Sequence, residues 1–256
     1  MATIAQVPPR SAERDTFYFH TALVMAAFVV AGFSTQWLMG RSSFSARPLV
    51  HVHGVILMGW IAIFTAQSGL AAYGPAGLHR RLGQLAAIWA AMVIVVGFAI
   101  IIDGIQRGKT PFFFQPQHFL VANPMSVLCF GTLVAAALRL RRHSDWHMRL
   151  QICATSAIMG PAFGRLLPMP LLIPYAWYAA FGCGLLFPLA GAMRDWRRDG
   201  RVHPAWWWGM AAIVGAAALS SLIAFSPLGD AIYAWITAGH PGAARPGLVF
   251  APPPPM

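Results

Sequence analysis

Residues 51–82 read HVHGVILMGWIAIFTAQSGLAAYGPAGLHRRL, an apolar run with two histidines at its start and His79 just beyond its end. About 20 consecutive apolar residues are enough for a helix to cross the hydrocarbon core of a bilayer. The stretch therefore predicts a membrane helix, a tight turn at GPAG and the start of a second membrane helix. It also predicts histidines at two depths of one helix bundle.

The composition of the whole chain also indicates a membrane protein. Hydrophobic residues make up 58% of the 256 residues, charged residues make up 10%, and the mean hydropathy is +0.61. Soluble domains are about 45–50% apolar and about 25% charged. The net charge is +11, but the basic residues lie in short segments between apolar runs. This pattern indicates membrane topology and lipid headgroup contact rather than nucleic-acid binding.

The apolar runs predict an all-α integral membrane protein with about seven transmembrane helices and a four-helix core of spans 2 to 5. A kink is expected at Pro124 in span 4. Residues 1–16 are predicted to be a cytoplasmic N-terminal segment, 17–225 a seven-helix membrane domain, and 226–256 an outside-facing tail with one short amphipathic helix and a frayed end. The predicted spans are 17–38, 49–73, 82–102, 118–138, 148–167, 171–193 and 205–225.

The distribution of basic residues predicts the orientation. With seven spans, the N-terminus and the loops after spans 2, 4 and 6 share one side and carry twelve arginines, whereas the other side carries six basic residues. The positive-inside rule then predicts a cytoplasmic N-terminus and an outside C-terminus. We expect a multi-pass protein of the bacterial inner (cytoplasmic) membrane, with the lipid bilayer as its immediate partner.

Four histidines fall near the starts of four consecutive predicted spans. His53 and His118 are expected on the outer side, and His79 and His147 on the inner side. Two neutral imidazoles at matching depth on different helices are the arrangement that holds the iron of haem b, and a helix bundle supplies it. The pattern predicts an outer pair, His53 with His118, and an inner pair, His79 with His147, as cofactor and metal ligands.

Helical spacing selects the inward face of span 2. Trp60, Phe64 and Gln67 each fall within about 40° of His53 on a helical wheel, whereas His51 points to nearly the opposite face. We therefore expect His53 to be the inward ligand, with Trp60 and Gln67 lining the same cofactor site.

The inner histidines share a second pattern. His79-Arg80-Arg81-Leu82 and His147-Met148-Arg149-Leu150 both read H-x-R-L, 68 residues apart, which suggests a two-helix repeat. Arginines beside the inner pair suit haem propionates, and small residues one or more turns away leave room for a porphyrin. The predicted propionate arginines are Arg80, Arg81 and Arg149, and the small residues below His79 are Gly83, Ala86, Ala90 and Gly97.

Two family resemblances follow from these residues. Over residues 49–167 the placement of the histidines resembles the two-haem transmembrane cytochromes b of the ascorbate-reducible type, which implies electron transfer across the membrane and a quinone or another redox partner. Over most of residues 17–210 the chain resembles a broad group of bacterial multi-span membrane proteins without an established activity, through FYFH, LVHVHG, LHRRLG, WHMRLQ and RVHPAWWWG.

The same residues also fit roles that need no haem. Histidines beside arginines at span ends also serve as interfacial anchors, and small-residue stripes also serve close helix packing. A cofactor-free accessory or scaffold subunit, working with other membrane subunits, predicts the same composition, and a small histidine metal site at the inner face is a further alternative. A retinal protein is excluded because the only lysine, Lys109, lies in a loop, and a membrane di-iron desaturase is disfavoured because no HxxHH motif is present.

Overall fold

The computed structural model describes residues 16–40 and 45–253, and these residues contain helices and no strands. The rest of the predicted cytoplasmic segment, residues 1–15, lies outside the described residues, as does Arg41. The helices are α1 (Phe17–Leu38), α2 (Pro48–Tyr73), α3 (Ala76–Gln106), α4 (Pro116–Arg139), α5 (Ser144–Ala157), α6 (Gly160–Leu166), α7 (Ala176–Gly184), α8 (Leu186–Asp199), α9 (Pro204–Ala224) and α10 (Pro227–Thr237), with 3₁₀ turns at Met169–Leu172 and Pro241–Ala244.

Six helical segments in the described part of the chain are long and apolar enough to cross a membrane, namely α1, α2, α3, α4, α7 with α8, and α9. Most of their surface is not covered by protein, since only 17% of the most apolar window of α2 is buried. A folded chain with so much apolar helix surface needs lipid around it. The protein is therefore an all-α, multi-pass membrane protein, as its composition predicts.

Helix boundaries agree with the predicted spans where proline or glycine marks them. Spans 1, 2, 4 and 7 match α1, α2, α4 and α9 within two residues at each end, and three of these helices begin with proline at their first position. Helix α4 continues through Pro124. Helix α3 begins at Ala76 rather than at residue 82, so that His79 lies in its first turn instead of before it.

The predicted fifth span is two helices rather than one. Helix α5 ends at Ala157 and α6 begins at Gly160, because Pro161 cannot donate a backbone hydrogen bond to Ala157 and its ring crowds that carbonyl. Neither helix alone is long enough to cross a membrane.

The broken segment nevertheless runs the length of α1. Arg149 near the start of α5 lies 5.8 Å from the ring centroid of Tyr18, at the start of α1. Arg165 in α6 lies 4.1 Å from the ring centroid of Phe33, near the end of α1. Seven segments therefore run between two ends of the bundle. We name these the proximal end, where α1 begins, and the distal end, where α1 ends.

The sixth predicted span also differs from the helix observed. It begins at Ala176 rather than at residue 171, after a 3₁₀ turn and the cis peptide bond Ile173–Pro174, and it extends to Asp199 rather than 193. The segment is interrupted at Leu185 because Pro188 has no N–H to continue the ladder.

The four predicted core helices lie together. Helix α2 packs on α3, α3 on α4, and α4 on α5, while α1 and α9 complete the wall. Trp60 on α2 is 2% exposed, donates to Oγ1 of Thr155 on α5 at 3.4 Å, and makes an edge contact with Phe130 on α4 at 4.8 Å. One tryptophan thus joins three of the four helices at the centre of the bundle.

The C-terminal tail folds over the distal end. Helix α10 packs on α3, α4 and α9. The Tyr233 hydroxyl donates to the carbonyl oxygen of Arg245 at 3.0 Å, and burial raises the pKa of this hydroxyl above its ordinary value. The N–H of Gln117 donates to the carbonyl oxygen of Gly247 at 2.8 Å. These contacts hold the described tail against the bundle, whereas residues 254–256, in the end that was predicted to be frayed or extended, lie outside the described residues.

Candidate functional site

The inward face of α2 is the one that helical spacing selects. Trp60 and Phe64 are buried at 2% and 5% exposure. His53 is half-buried, and its Nδ1 is screened from solvent without a hydrogen-bond partner. His51 is exposed, as predicted. Residues that lie a whole number of turns apart share one face of a helix. The inward-facing positions of α2 could therefore be predicted from the sequence.

His79 and His147 come together at the proximal end. They lie at the starts of α3 and α5, and the two imidazoles are close enough to interact electrostatically. The Nδ1–H of His147 donates to the carbonyl oxygen of Ala137, in the last turn of α4, at 2.8 Å. That bond fixes the ring and makes Nε2 the nitrogen with the free lone pair. The Nδ1 of His79 is buried and has no partner in the described part of the chain.

Two glutamine side chains extend this pair into what we call the proximal polar cluster, made of Gln67, His79, His147 and Gln151. Gln151 lies one turn after His147 on the same face of α5. Gln67 on α2 lies against Gly83, one turn after His79 on α3, where an added Cβ would be 3.1 Å from its Nε2. The Oε1 atoms of both glutamines are buried and unpartnered in the described structure. Buried polar atoms without partners are uncommon in native proteins, so these three atoms mark a place where a ligand or water can bind.

The cluster offers donors of the kind that haem requires. A neutral imidazole held through Nδ1 to a backbone carbonyl is the usual state of a histidine that ligates iron through Nε2. Gly83 leaves space beside the histidine pair, since Gln67 is the only neighbour that its added Cβ would approach within 4 Å. At Gly97, by contrast, an added Cβ would lie 3.2 Å from Val127, so that glycine serves close helix packing. The residues at the proximal end therefore fit a bis-histidine haem.

His118 occupies a different environment from the one predicted for an outer ligand. Its ring is stacked on Phe225 at 5.2 Å and lies 5.0 Å from the ring of Trp177 and 5.5 Å from that of Tyr178. A hydrogen bond of 3.4 Å joins its Nε2 to Oγ of Ser221. These contacts direct the ring toward α7 and α9, whereas His53 lies in the second turn of α2. The structure does not bring His53 and His118 together through any contact it describes.

The three predicted propionate arginines differ from one another. Arg80 and Arg81 are exposed at the start of α3. Arg149 is buried and has a protein partner for each guanidinium nitrogen. Its Nε and Nη2 donate to Asp195 at 2.8 and 2.9 Å, and its Nη1 donates to the carbonyl oxygen of Asp145 at 2.9 Å. The charge of Arg149 is therefore paired with Asp195, and its three nitrogens already donate to protein oxygens, so it is not a free cation for a propionate.

Sequence reasoning missed Asp195, which it left in a loop. Asp195 is 1% exposed and also accepts from the indole N–H of Trp206 at 2.8 Å. A second polar contact joins the same elements, since Nε2 of His203 donates to Asp145 at 2.9 Å while its Nδ1 accepts from the N–H of Ala205 and caps α9. The signal available in the sequence was an acidic residue two positions after a predicted span, in a chain with only seven acidic residues.

Within residues 16–40 and 45–253, no group of three or more His, Cys, Asp or Glu side chains is arranged to hold a metal ion. Haem ligation by two histidines does not need such a group. No family model, no curated protein and no solved structure matches the chain. The two family resemblances therefore stay predictions.

Proposed function

We propose that the protein is a b-type membrane cytochrome that holds haem b between His79 and His147 at the proximal end of the bundle. The observation that carries the proposal is the cluster at the starts of α3 and α5, where Ala137 holds the ring of His147 and three polar atoms, on His79, Gln67 and Gln151, are buried without a partner in the described part of the chain. Haem iron between two imidazoles supplies reversible one-electron transfer. A quinone or another redox partner exchanges the electrons.

The residues of the chain have separate tasks in this proposal. The carbonyl of Ala137 orients the ring of His147, so that its Nε2 points away from α4. His79 supplies the opposite imidazole from the first turn of α3. Gln67 and Gln151 present amide groups to the same space, and the Nδ1–H of a ligating His79 needs such an acceptor. Trp60 and Phe130 pack in the apolar layer next to the cluster and exclude water from it.

An absorption spectrum of the purified protein tests the proposal. After reduction with dithionite we expect a Soret band and an α band of a low-spin b haem, with about one iron per chain by elemental analysis. A protein without these bands and without iron is not a cytochrome, and the cofactor-free accessory subunit is then the better description.

Ligand variants test the assignment of the histidines. His79→Ala and His147→Ala each remove one axial ligand, so we expect loss of the low-spin spectrum in both. His240→Ala is the matched control, because His240 is exposed in the tail. His118→Ala should also keep the spectrum, because the ring of His118 packs against aromatic side chains and is not a proposed haem ligand. Retention of the full spectrum in His79→Ala contradicts the proposed pair.

A further inference from the structure

Arg165 lies at the distal end in an unusual position for a charged residue. Its guanidinium lies 4.1 Å from the ring centroid of Phe33, and its Nη1 donates to the carbonyl oxygen of Pro161 at 2.7 Å. The backbone is also held, because the side chain of Gln36 donates to the carbonyl oxygen of Arg165 at 3.2 Å. The side chain is therefore fixed between α1 and α6 rather than free in solvent.

No carboxylate balances this charge in the described part of the chain. The described aspartates have other partners. Asp103 pairs with Arg47 and Arg107, Asp145 with His203, Asp195 with Arg149, Asp199 with Arg198, and Asp230 with Gln117. Arginines within membrane segments usually pair with an acidic group or reach the headgroup layer. The Nε and Nη2 donors of Arg165 have neither a carboxylate nor another described acceptor.

A second donor group lies at the same end of the bundle. His53 is in the second turn of α2, which begins at the distal end, and its buried Nδ1 has no partner in the described part of the chain. A neutral imidazole with an N–H and a guanidinium with two unused donors form a donor-only surface. The ligand that suits such a surface is an oxyanion, because it accepts several hydrogen bonds and neutralises the arginine.

We infer that Arg165 and His53 bind a phosphate group between α1, α2 and α6 at the distal end. Arg165 is the next-to-last residue of α6 and Gln36 lies in the last turn of α1, so the site is at the depth of lipid headgroups. The phosphate can belong to a lipid or to a free phosphate compound. The site is independent of the proposed haem, which lies at the other end of the bundle.

Native mass spectrometry tests whether the bound phosphate belongs to a lipid. The full chain is purified in detergent without lipid and then titrated with phosphatidylglycerol. Wild-type protein should retain one lipid. Arg165→Gln should weaken that binding about tenfold or more, because a charge-assisted hydrogen-bond pair is lost. His53→Ala should weaken it severalfold, since one neutral hydrogen-bond donor is lost. Lys109→Gln is the matched control, an exposed cation at the same end that should bind as wild type does.

Thermal unfolding in the presence of inorganic phosphate tests whether the ligand is a free phosphate compound. A rise in Tm for wild type and for Lys109→Gln, but not for Arg165→Gln, supports the site with a soluble phosphate compound as ligand. If Arg165→Gln does not fold, as judged by circular dichroism, Arg165→Lys replaces it. Lysine keeps the charge but loses the bidentate fork, and it should bind several times more weakly. Equal behaviour of the Arg165 variant and Lys109→Gln in both titrations overturns the inference.

Discussion

At the scale of single residues, some buried polar atoms of the bundle have hydrogen-bond partners and others do not. Asp195 accepts from Arg149 and Trp206 and forms a closed network at the proximal end. Among the described residues, His53 and His79 in contrast each keep a buried nitrogen without a partner. Buried polar groups in proteins are normally paired, so the first set stabilises the fold and the second set is where ligands are expected.

The Asp195 network gives a stability prediction. Asp195→Asn leaves the buried guanidinium of Arg149 without its counter-charge, and breaking such a pair by removing one partner costs about 3–5 kcal/mol. We expect a clear fall in Tm by thermal unfolding in detergent. The control is Asp199→Asn, because Asp199 is half-exposed and lies 3.8 Å from Arg198, a longer and weaker ion pair. Equal stability of the two variants contradicts a stabilising role for the network.

At the scale of the elements, proline and glycine decide where helices break and how closely they approach. Pro161 separates α5 from α6, and Pro188 interrupts the sixth segment near Leu185. Gly59 lets α2 approach α3, since an added Cβ there would be 2.3 Å from the ring of Trp89, whose indole N–H donates to the carbonyl oxygen of Ile56 at 2.8 Å. These breaks are readable from proline positions, but the pairing of Gly59 with Trp89 requires the relative rotation of two helices.

Two glycines of α2 form a matched pair for testing this contact. Gly59→Ala forces its Cβ into the Trp89 ring, and overpacking of this kind costs about 1–3 kcal/mol. Gly54→Ala meets nothing within 4 Å and should stabilise the helix by about 0.5–1 kcal/mol, because alanine is the better helix former. The opposite signs should appear as a lower and a higher Tm. A rise in Tm for both variants contradicts the close approach of α2 and α3.

At the scale of the whole molecule, the seven segments of the described chain place its first and last described residues, Thr16 and Pro253, at opposite ends of the bundle. The exposed loop after α4 and the start of α3 carry arginines at the proximal end, while the folded tail covers α3, α4 and α9 at the distal end. The positive-inside rule predicts that the proximal end is cytoplasmic. In that orientation the proposed haem lies near the cytoplasm and the inferred phosphate site near the outer surface.

Reporter fusions test this orientation. Alkaline phosphatase fused after Pro253 should be active, because the enzyme folds only outside the cytoplasm, and the same reporter inserted after Arg142 should be inactive. A fusion after Lys109, in the loop between α3 and α4 at the distal end, is the control and should be active. The reverse pattern at all three positions means that the bundle is inserted with its proximal end outside.

The sequence by itself determined the class of this protein, most helix boundaries and the inward face of α2, because apolar length, proline position and helical period are local properties of the chain. It also predicted that His79 and His147 share one end, since two helices that start on the same side bring their first turns to one depth. Only the tertiary structure decided that His118 faces Trp177 and Phe225, and that Arg149 pairs with Asp195. Both depend on how helices distant in the chain rotate against each other, and that rotation is set by the packing of the whole bundle.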